Sequence, residues 1–384
     1  MKNKIIILIF TAFIFSCNLK SDTALNSEDT SFDQAEFSAD SEKPSQHNLT
    51  LIAAGDNLFH ITIINRANED GKYNFTPIYS EIKDLVENAD IAFINQETVM
   101  AGESYGYSGF PKFNTPQSLA RTLSDTGFNI INLANNHAMD MGKDGLYATL
   151  DLLETMEEIT VIGARKTDNS HQIITKNNIT LGFLSYAHSL NGNPLPDDNP
   201  NLVSMINRNK MTQEIKALRP LCDFLVVSMH WGDEYHLAEP GSDQKSLAIF
   251  LAEQNVDLII GHHPHVLQRV EKLKRPDGKE TLCFYSLGNF VSNQNRKERI
   301  LGGIMLVTFE KEDDALSIKN SGLIPVICHF EAGYINTKIY PIYKYTEELL
   351  KKHSLYLSEG DMDFEFFHSV LRKLETKIIM HNPF

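Results

Sequence analysis

Residues 257–265 read Asp257-Leu258-Ile259-Ile260-Gly261-His262-His263-Pro264-His265. A short apolar run stopped by glycine predicts a strand buried on both faces, as in a sheet covered by helices. After the glycine come three imidazoles in four positions. Histidines are costly to bury and have little packing use at a strand end, whereas neutral imidazole is a common metal ligand. The stretch therefore predicts a buried sheet with a metal centre at its edge.

The pattern repeats outward from there. Ser242 is placed to cap a helix running to about residue 255. Short apolar strands are predicted at 49–54, 89–94, 129–133, 181–185, 224–229 and 281–286. Helices are predicted at 117–126, closed by Gly127, and at 144–156, where apolar residues recur at three- and four-residue steps. Strands alternating with amphipathic helices predict an α/β fold. Two later strands, 304–309 and 323–329, are expected to complete a second sheet, and a polar helical tail rich in Lys and Glu follows.

Ligands in open α/β sheets gather beyond the carboxyl ends of the strands. Strand 49–54 runs into Gly55-Asp56-Asn57, and strand 89–94 into Asn95-Gln96-Glu97. Strand 129–133 runs into Ala134-Asn135-Asn136-His137, and strand 224–229 into His230-Trp231-Gly232. Each has a plain reading alone: a turn at Asp56, a solvated strand end at Asn95 and Glu97, a helix cap at Asn135-Asn136, a core histidine at His230. Packing alone does not explain five strands sending such groups to one edge. Asp140 and Gly142 are read as shaping the next helix entry. Phe110-Pro111-Lys112-Phe113 is read as a surface loop or a substrate rim.

The ordered series Gly55-Asp56, Asn95-x-Glu97, Ala134-Asn135-Asn136-His137, His230-Trp231-Gly232, Gly261-His262-His263-Pro264-His265 and Ser286-Leu287-Gly288-Asn289-Phe290 resembles the CapA-type poly-γ-glutamate capsule biosynthesis proteins. These are relatives of the calcineurin-like metallophosphoesterases, and the resemblance covers about residues 48–330. It implies a single-domain, four-layer α/β/β/α sandwich of the metallophosphoesterase type holding one or two divalent ions (Mn, Zn or Fe). By matching motif, Asp56 and His265 would hold one metal and Asn136, His230 and His263 the other. Glu97 would bridge them, and His137 would act as general acid or transition-state donor. Asn95, Asn135, His262 and Asn289 are the candidates for substrate contact. One position departs: relatives carry Asp-x-His where this chain has Asp56-Asn57-Leu58. A one-metal centre therefore stays open, with His60 as a substitute ligand. The implied activity is hydrolysis of a phosphoester or amide, linked to poly-γ-glutamate or a similar anionic polymer and its synthesis machinery. The alternatives are a non-catalytic polymer-binding or export lipoprotein, and a nucleotidase-like phosphatase without a separate nucleotide-binding domain.

The beginning of the chain bears on location. Met1-Lys2-Asn3-Lys4 is basic, residues 5–15 are apolar, and Ile14-Phe15-Ser16-Cys17 resembles a lipobox. Eleven apolar residues are too few for a bilayer span, which takes about 20, but suit a secretory signal. Residues 1–17 thus predict a lipoprotein signal peptide with Cys17 lipidated. Residues 18–47, rich in Ser, Asp, Glu and Asn, predict a disordered tether. Residues 48–345 are the expected enzyme domain and 346–384 its helical tail, placed outside the cytoplasm in a bacterial envelope. Cys222, Cys283 and Cys328 read as buried free thiols. A balance of 35 Lys plus Arg against 50 Asp plus Glu, net −15, argues against a nucleic-acid partner.

Overall fold

The computed structural model describes residues 46–167, 171–313, 315–358 and 362–384. The predicted signal peptide with Cys17, and residues 18–45 of the expected tether, lie outside the described residues.

The chain begins with β1 (Gln46–Asn57), α1 (Ile61–Arg66), a small hairpin of β2 (Asn68–Glu69) and β3 (Lys72–Tyr73), α2 (Thr76–Tyr79) and α3 (Lys83–Glu87). Alternation follows: β4 (Ile91–Gln96), α4 (Ser118–Thr126), β5 (Ile130–Asn132), α5 (Gly142–Glu154) and β6 (Thr160–Ile162). A second run comprises β7 (Gln172–Lys176), β8 (Ile179–Ala187), α6 (Arg208–Leu218), β9 (Phe224–His230), α7 (Ser242–Glu253) and β10 (Leu258–His262). Next come β11 (Leu267–Lys274), β12 (Glu280–Leu287), β13 (Asn289–Val291), β14 (Leu301–Glu312), β15 (Ala315–His329) and β16 (Lys338–Pro341). Three helices finish it: α8 (Glu347–Lys352), α9 (Ser354–Ser358) and α10 (Phe364–Leu371).

Two sheets result. One has the order β16-β15-β14-β1-β4-β5-β6, with β13 also on β1; the other is β11-β12-β10-β9-β8-β7. The inner pairs β1–β4, β4–β5, β8–β9 and β9–β10 are parallel. Strand periodicity of two divides their side chains between faces. Phe224, Val226, Leu258, Ile260, Leu282 and Phe284 meet Leu49, Leu51, Ile91 and Phe93 in a core between the sheets. Their neighbours Leu225, Val227, Ile259 and Cys283 point outward onto Met211 and Ile215 of α6 and Leu251 of α7. On the far side, Ile52, Ala92 and Ile94 pack on Leu119 and Leu123 of α4 and Leu146 and Leu150 of α5. Three stacked cores make four layers, helix, sheet, sheet, helix, as expected. Each buried aliphatic side chain contributes about 1.5–3 kcal/mol.

Four features differ from the sequence expectation. Gln46 and His47, read as tether, pair with Glu312 and Lys311, because the long arm of β14 offers them a ladder. The late strands join the first sheet, not the second: β14 pairs antiparallel with β1 and β15 with β14. The last 39 residues are not a separate tail. Leu350, Phe367, Val370, Leu371 and Leu374 enter the core between the sheets, and Ile378 bridges to Leu323. Polar residues on their outer faces mask this in the sequence. Gly241, rather than Ser242, occupies the cap position of α7. No helix among the described residues is long and apolar enough to cross a membrane.

Candidate metal centre

Parallel pairing in register brings the strand ends to one edge: Asp56 lies beside Asn95, Asn95 beside Asn132, and His262 beside His230. Two glycines allow the crowding. A Cβ on Gly55 would stand 2.1 Å from the Gly288 carbonyl oxygen, and one on Gly261 would stand 2.0 Å from that of Tyr285. Beyond Gly261 the backbone is strained, with φ of 96° at His263 and 58° at His265. Non-glycine residues rarely sit there, and such strain is held mainly at functional sites.

Asp56, Glu97, Asn136, His230, His263 and His265 are all buried and converge. His230 Nε2 lies 2.9 Å from Asn136 Oδ1 and 3.5 Å from Glu97 Oε1. His265 reaches Asp56 Oδ2 with Nδ1 at 3.1 Å and Glu97 Oε1 with Nε2 at 3.7 Å. Glu97 is fully buried, yet neither carboxylate oxygen has a hydrogen-bond partner; His230 Nδ1 and His263 Nδ1 are also unpartnered. Buried polar atoms left so cost about 1–3 kcal/mol each, more for a charge. Burial, then the nearby Asp56 carboxylate, pushes the Glu97 carboxyl well above its ordinary value. Burial pushes Asp56 up too, but contacts from His262 and His265 outweigh it and hold that carboxyl well below. Burial depresses His263 to about 2 and His230 well below the usual value, so both rings are neutral lone-pair donors.

Unpartnered carboxylate oxygens among neutral imidazoles fit divalent cations. Two sets of ligand atoms each lie within 4.8 Å of one another: Glu97 with His263 and His265, and Asp56 with Glu97 and His230. Glu97 is common to both sets, and His265 also lies beside Asp56, with Nδ1 3.1 Å from Oδ2. Leu58 is buried, and His60, hydrogen-bonded through Nδ1 to the Leu58 carbonyl, belongs to neither set.

His137 stands beside the cluster. Its Nδ1 lies 2.8 Å from Asp140 Oδ2, and Phe113 packs edge-on at 4.6 Å between ring centres. Asp140 also accepts the Phe113 N–H at 2.7 Å. It therefore orients the histidine rather than merely shaping the helix entry, and Phe113 belongs to the site wall while Phe110 is exposed.

The four substrate-contact candidates lie close to the ligand-bearing strand ends. Asn95 donates to Asp56 Oδ1 at 2.8 Å, and Asn135 donates to the Gln96 carbonyl while accepting the His137 N–H. His262 stacks on Phe93 at 5.6 Å, its Nδ1 3.4 Å from Asp56 Oδ1 but off hydrogen-bond alignment. Asn289 pairs in register with Asp56 and donates to the Arg299 carbonyl at 2.9 Å. All four are buried, as are the ligand residues they contact.

Several residues escaped the sequence reading. His188 lies 4.5 Å from His263 between ring centres, and Asn191 approaches Asn136 and His137 at 3.4 Å. Ending the predicted strand that begins at residue 181 at Ala187 would have exposed His188 as another strand-end histidine. Tyr235 lies 6.1 Å from His265 between ring centres, with Arg299 over its face, and no sequence pattern announces either. A cavity of about 310 Å³ opens beside His188. Another, of about 360 Å³ near Asp223, Asp257 and Arg275, lies at the opposite strand ends and touches none of these groups.

Fold and site together define an α/β protein with a buried carboxylate–imidazole centre suited to divalent metal. The chain belongs to the family described as "Bacterial capsule synthesis protein PGA_cap", which matches residues 50–294. It is 30% identical over 264 residues to "Capsule biosynthesis protein CapA" of Bacillus anthracis, covering 64% of this chain and 60% of that one. It is 34% identical over 193 residues to "PGA biosynthesis protein CapA" of Bacillus subtilis (strain 168), covering 47% of each. The chain thus spans about half to three fifths of these relatives' lengths. Among solved structures it resembles a calcineurin-like phosphoesterase, YfkN, from Bacillus subtilis (14% identity, 84% of this chain, 100% of that one, TM-score 0.45). It also resembles a 5′-nucleotidase precursor from Thermus thermophilus (16% identity, 85% of this chain, 59% of that one, TM-score 0.45).

Proposed function

We propose that the protein is a lipid-anchored, extracytoplasmic, metal-dependent hydrolase that cleaves a phosphoester or amide in the making or processing of poly-γ-glutamate or a similar anionic polymer. The carrying observation is Glu97: a buried carboxylate, both oxygens unpartnered, shared by two sets of ligand atoms. The names of the Bacillus relatives and the signal-like first 17 residues support the setting.

Asp56, Glu97, Asn136, His230, His263 and His265 are the residues that would hold the metal. A divalent ion held there supplies Lewis-acid polarisation and lowers the pKa of bound water. Neutral His230 and His263 keep lone pairs directed into the site. Asp140 fixes the His137 ring through Nδ1, leaving Nε2 to deliver a proton to a leaving group. Phe113, edge-on to that ring, keeps water from one side of it.

The test pairs metal analysis of the purified protein with cleavage of an aryl phosphodiester, an aryl phosphomonoester and a γ-glutamyl amide. His137→Ala is expected to keep its metal and lose at least about 100-fold in turnover, the usual range for a general acid. Metal-loaded wild type that cleaves none of the three refutes the hydrolase reading. Binding of polymer without cleavage would then favour the accessory role, toward which buried Leu58, in place of the family's histidine, already points.

A further inference from the structure

One cation at the mouth of the centre has no acidic partner. The Arg299 guanidinium lies 3.5 Å from the centre of the Tyr235 ring, and no carboxylate among the described residues stands within ion-pair distance of it. Arg219 and Arg275 pair instead with Asp257, and Arg165 with Glu214. A guanidinium lying on an aromatic face keeps its edge N–H groups free, and that edge matches a carboxylate or phosphate in a two-pronged hydrogen bond.

Several contacts hold this seat in place. Tyr235 is tied to the histidine loop by its N–H to the Pro264 carbonyl at 2.8 Å, which sets its ring against His265. It adopts φ of 69°, a conformation other than glycine rarely takes, so the fold holds it there. Gln294 Nε2 reaches the Tyr235 hydroxyl at 3.4 Å. Burial, then the neighbouring Glu234 carboxylate, pushes that hydroxyl up to about 12. Asn289, beside Asp56 in the sheet, donates to both Gln294 Oε1 and the Arg299 carbonyl. The segment carrying Arg299 is thereby fastened to the strand carrying a metal ligand. In a chain of net charge −15, an unpaired cation at this place has a large local effect on anions.

We propose that Arg299, seated on Tyr235, is a specificity-determining residue that binds an anionic oxygen group of the substrate, phosphate or carboxylate, next to the metal centre. The proposal rests on the hydrolase reading for the word substrate, but its test reads binding alone.

Calorimetric titration of the metal-loaded protein at low salt with inorganic phosphate, and separately with a γ-linked glutamate oligomer, supplies the test. Arg299→Gln is expected to weaken one or both at least about tenfold, the loss typical of a charge-assisted pair, with metal content and melting temperature unchanged. Arg299→Lys should recover part of the affinity. Tyr235→Phe should keep it, and Tyr235→Leu should match Arg299→Gln. An effect on phosphate alone assigns a phosphorylated substrate; an effect on the oligomer alone assigns the polymer's carboxylates. Wild-type affinity for both anions in Arg299→Gln, or no binding of either anion by wild type, overturns the proposal. Binding through Arg299 without cleavage of any ester or amide defeats the hydrolase reading and leaves this one standing.

Discussion

Glu97 shows how a single side chain can be set among neutral imidazoles without a hydrogen-bond partner. Its carboxylate is fully buried, unpartnered and pushed toward the neutral form by burial and by Asp56. Glu97→Gln removes a carboxyl whose ionised form burial and Asp56 disfavour, together with the ligand shared by both sets. The metal-free variant is therefore expected to melt a few degrees above metal-free wild type, since a 1 kcal/mol change moves a large domain by about 2–4 °C. The same variant should lose most bound metal by elemental analysis and gain no stability from added cation. Higher metal content in the variant, or no difference between the metal-free forms, would contradict the role given to Glu97. Asp140→Asn is expected to leave metal content intact while lowering turnover, because His137 Nδ1 loses its charged partner. Steady-state rates alongside metal analysis decide this.

Among the elements, β10 and β12 run so close at Gly261 that a methyl group would overlap the Tyr285 carbonyl. Gly261→Ala is expected to destabilise the protein by several kcal/mol, the scale of overpacking between backbones, and to cost the metal site because His262, His263 and His265 follow directly. Denaturant midpoints and metal content report both effects, and an unchanged midpoint would count against so close an approach. The closing segment is an element of the same core. Leu323 N–H bonds the Lys377 carbonyl, Ile379 N–H the Leu323 carbonyl, and Val270 N–H the Leu374 carbonyl. Truncation after Lys373 removes these bonds and buried Leu374 and Ile379, so loss of at least about 2 kcal/mol is expected. A truncated chain that melts like the full one would show the segment to be dispensable.

The whole molecule responds to pH through histidines remote from the metal centre. Burial depresses His329 and His353 to about 4 each, and their rings meet edge-on 5.2 Å apart where α8 joins β15. His353 accepts the Leu355 N–H at Nδ1 and reaches the Cys328 carbonyl with Nε2, an arrangement of the neutral ring. The folded values lie below the unfolded value of about 6.5, so the unfolded chain takes up protons first as pH falls. Their contribution is whole above about pH 6.5 and is lost between about 6.5 and 4, on the order of 2–3 kcal/mol for each ring. Urea midpoints across that range should fall, and His353→Phe should flatten the fall. An equally steep fall in the variant would assign the effect elsewhere.

The sequence carried what depends on local pattern. Short apolar runs located the inner strands, because burial on both faces demands them. Asp56, Glu97, Asn136, His230, His263 and His265 stand just past those runs, and they come together because parallel strands in register bring their carboxyl ends to one edge. Gly127, with φ of 106°, closes α4 as its position implied. Whatever depends on contacts between distant segments had to await the tertiary structure. Nothing local tells that β14 pairs with β1, that the last helices fill the core between the sheets, or that His263 joins His265 around Glu97. Nor does it tell that Asn95 and His262 come to lie against Asp56, or that Arg299 comes to rest on Tyr235. These outcomes turn on which buried surfaces and unpaired hydrogen-bonding groups meet when two sheets stack, and that is settled only by the packing of the complete chain.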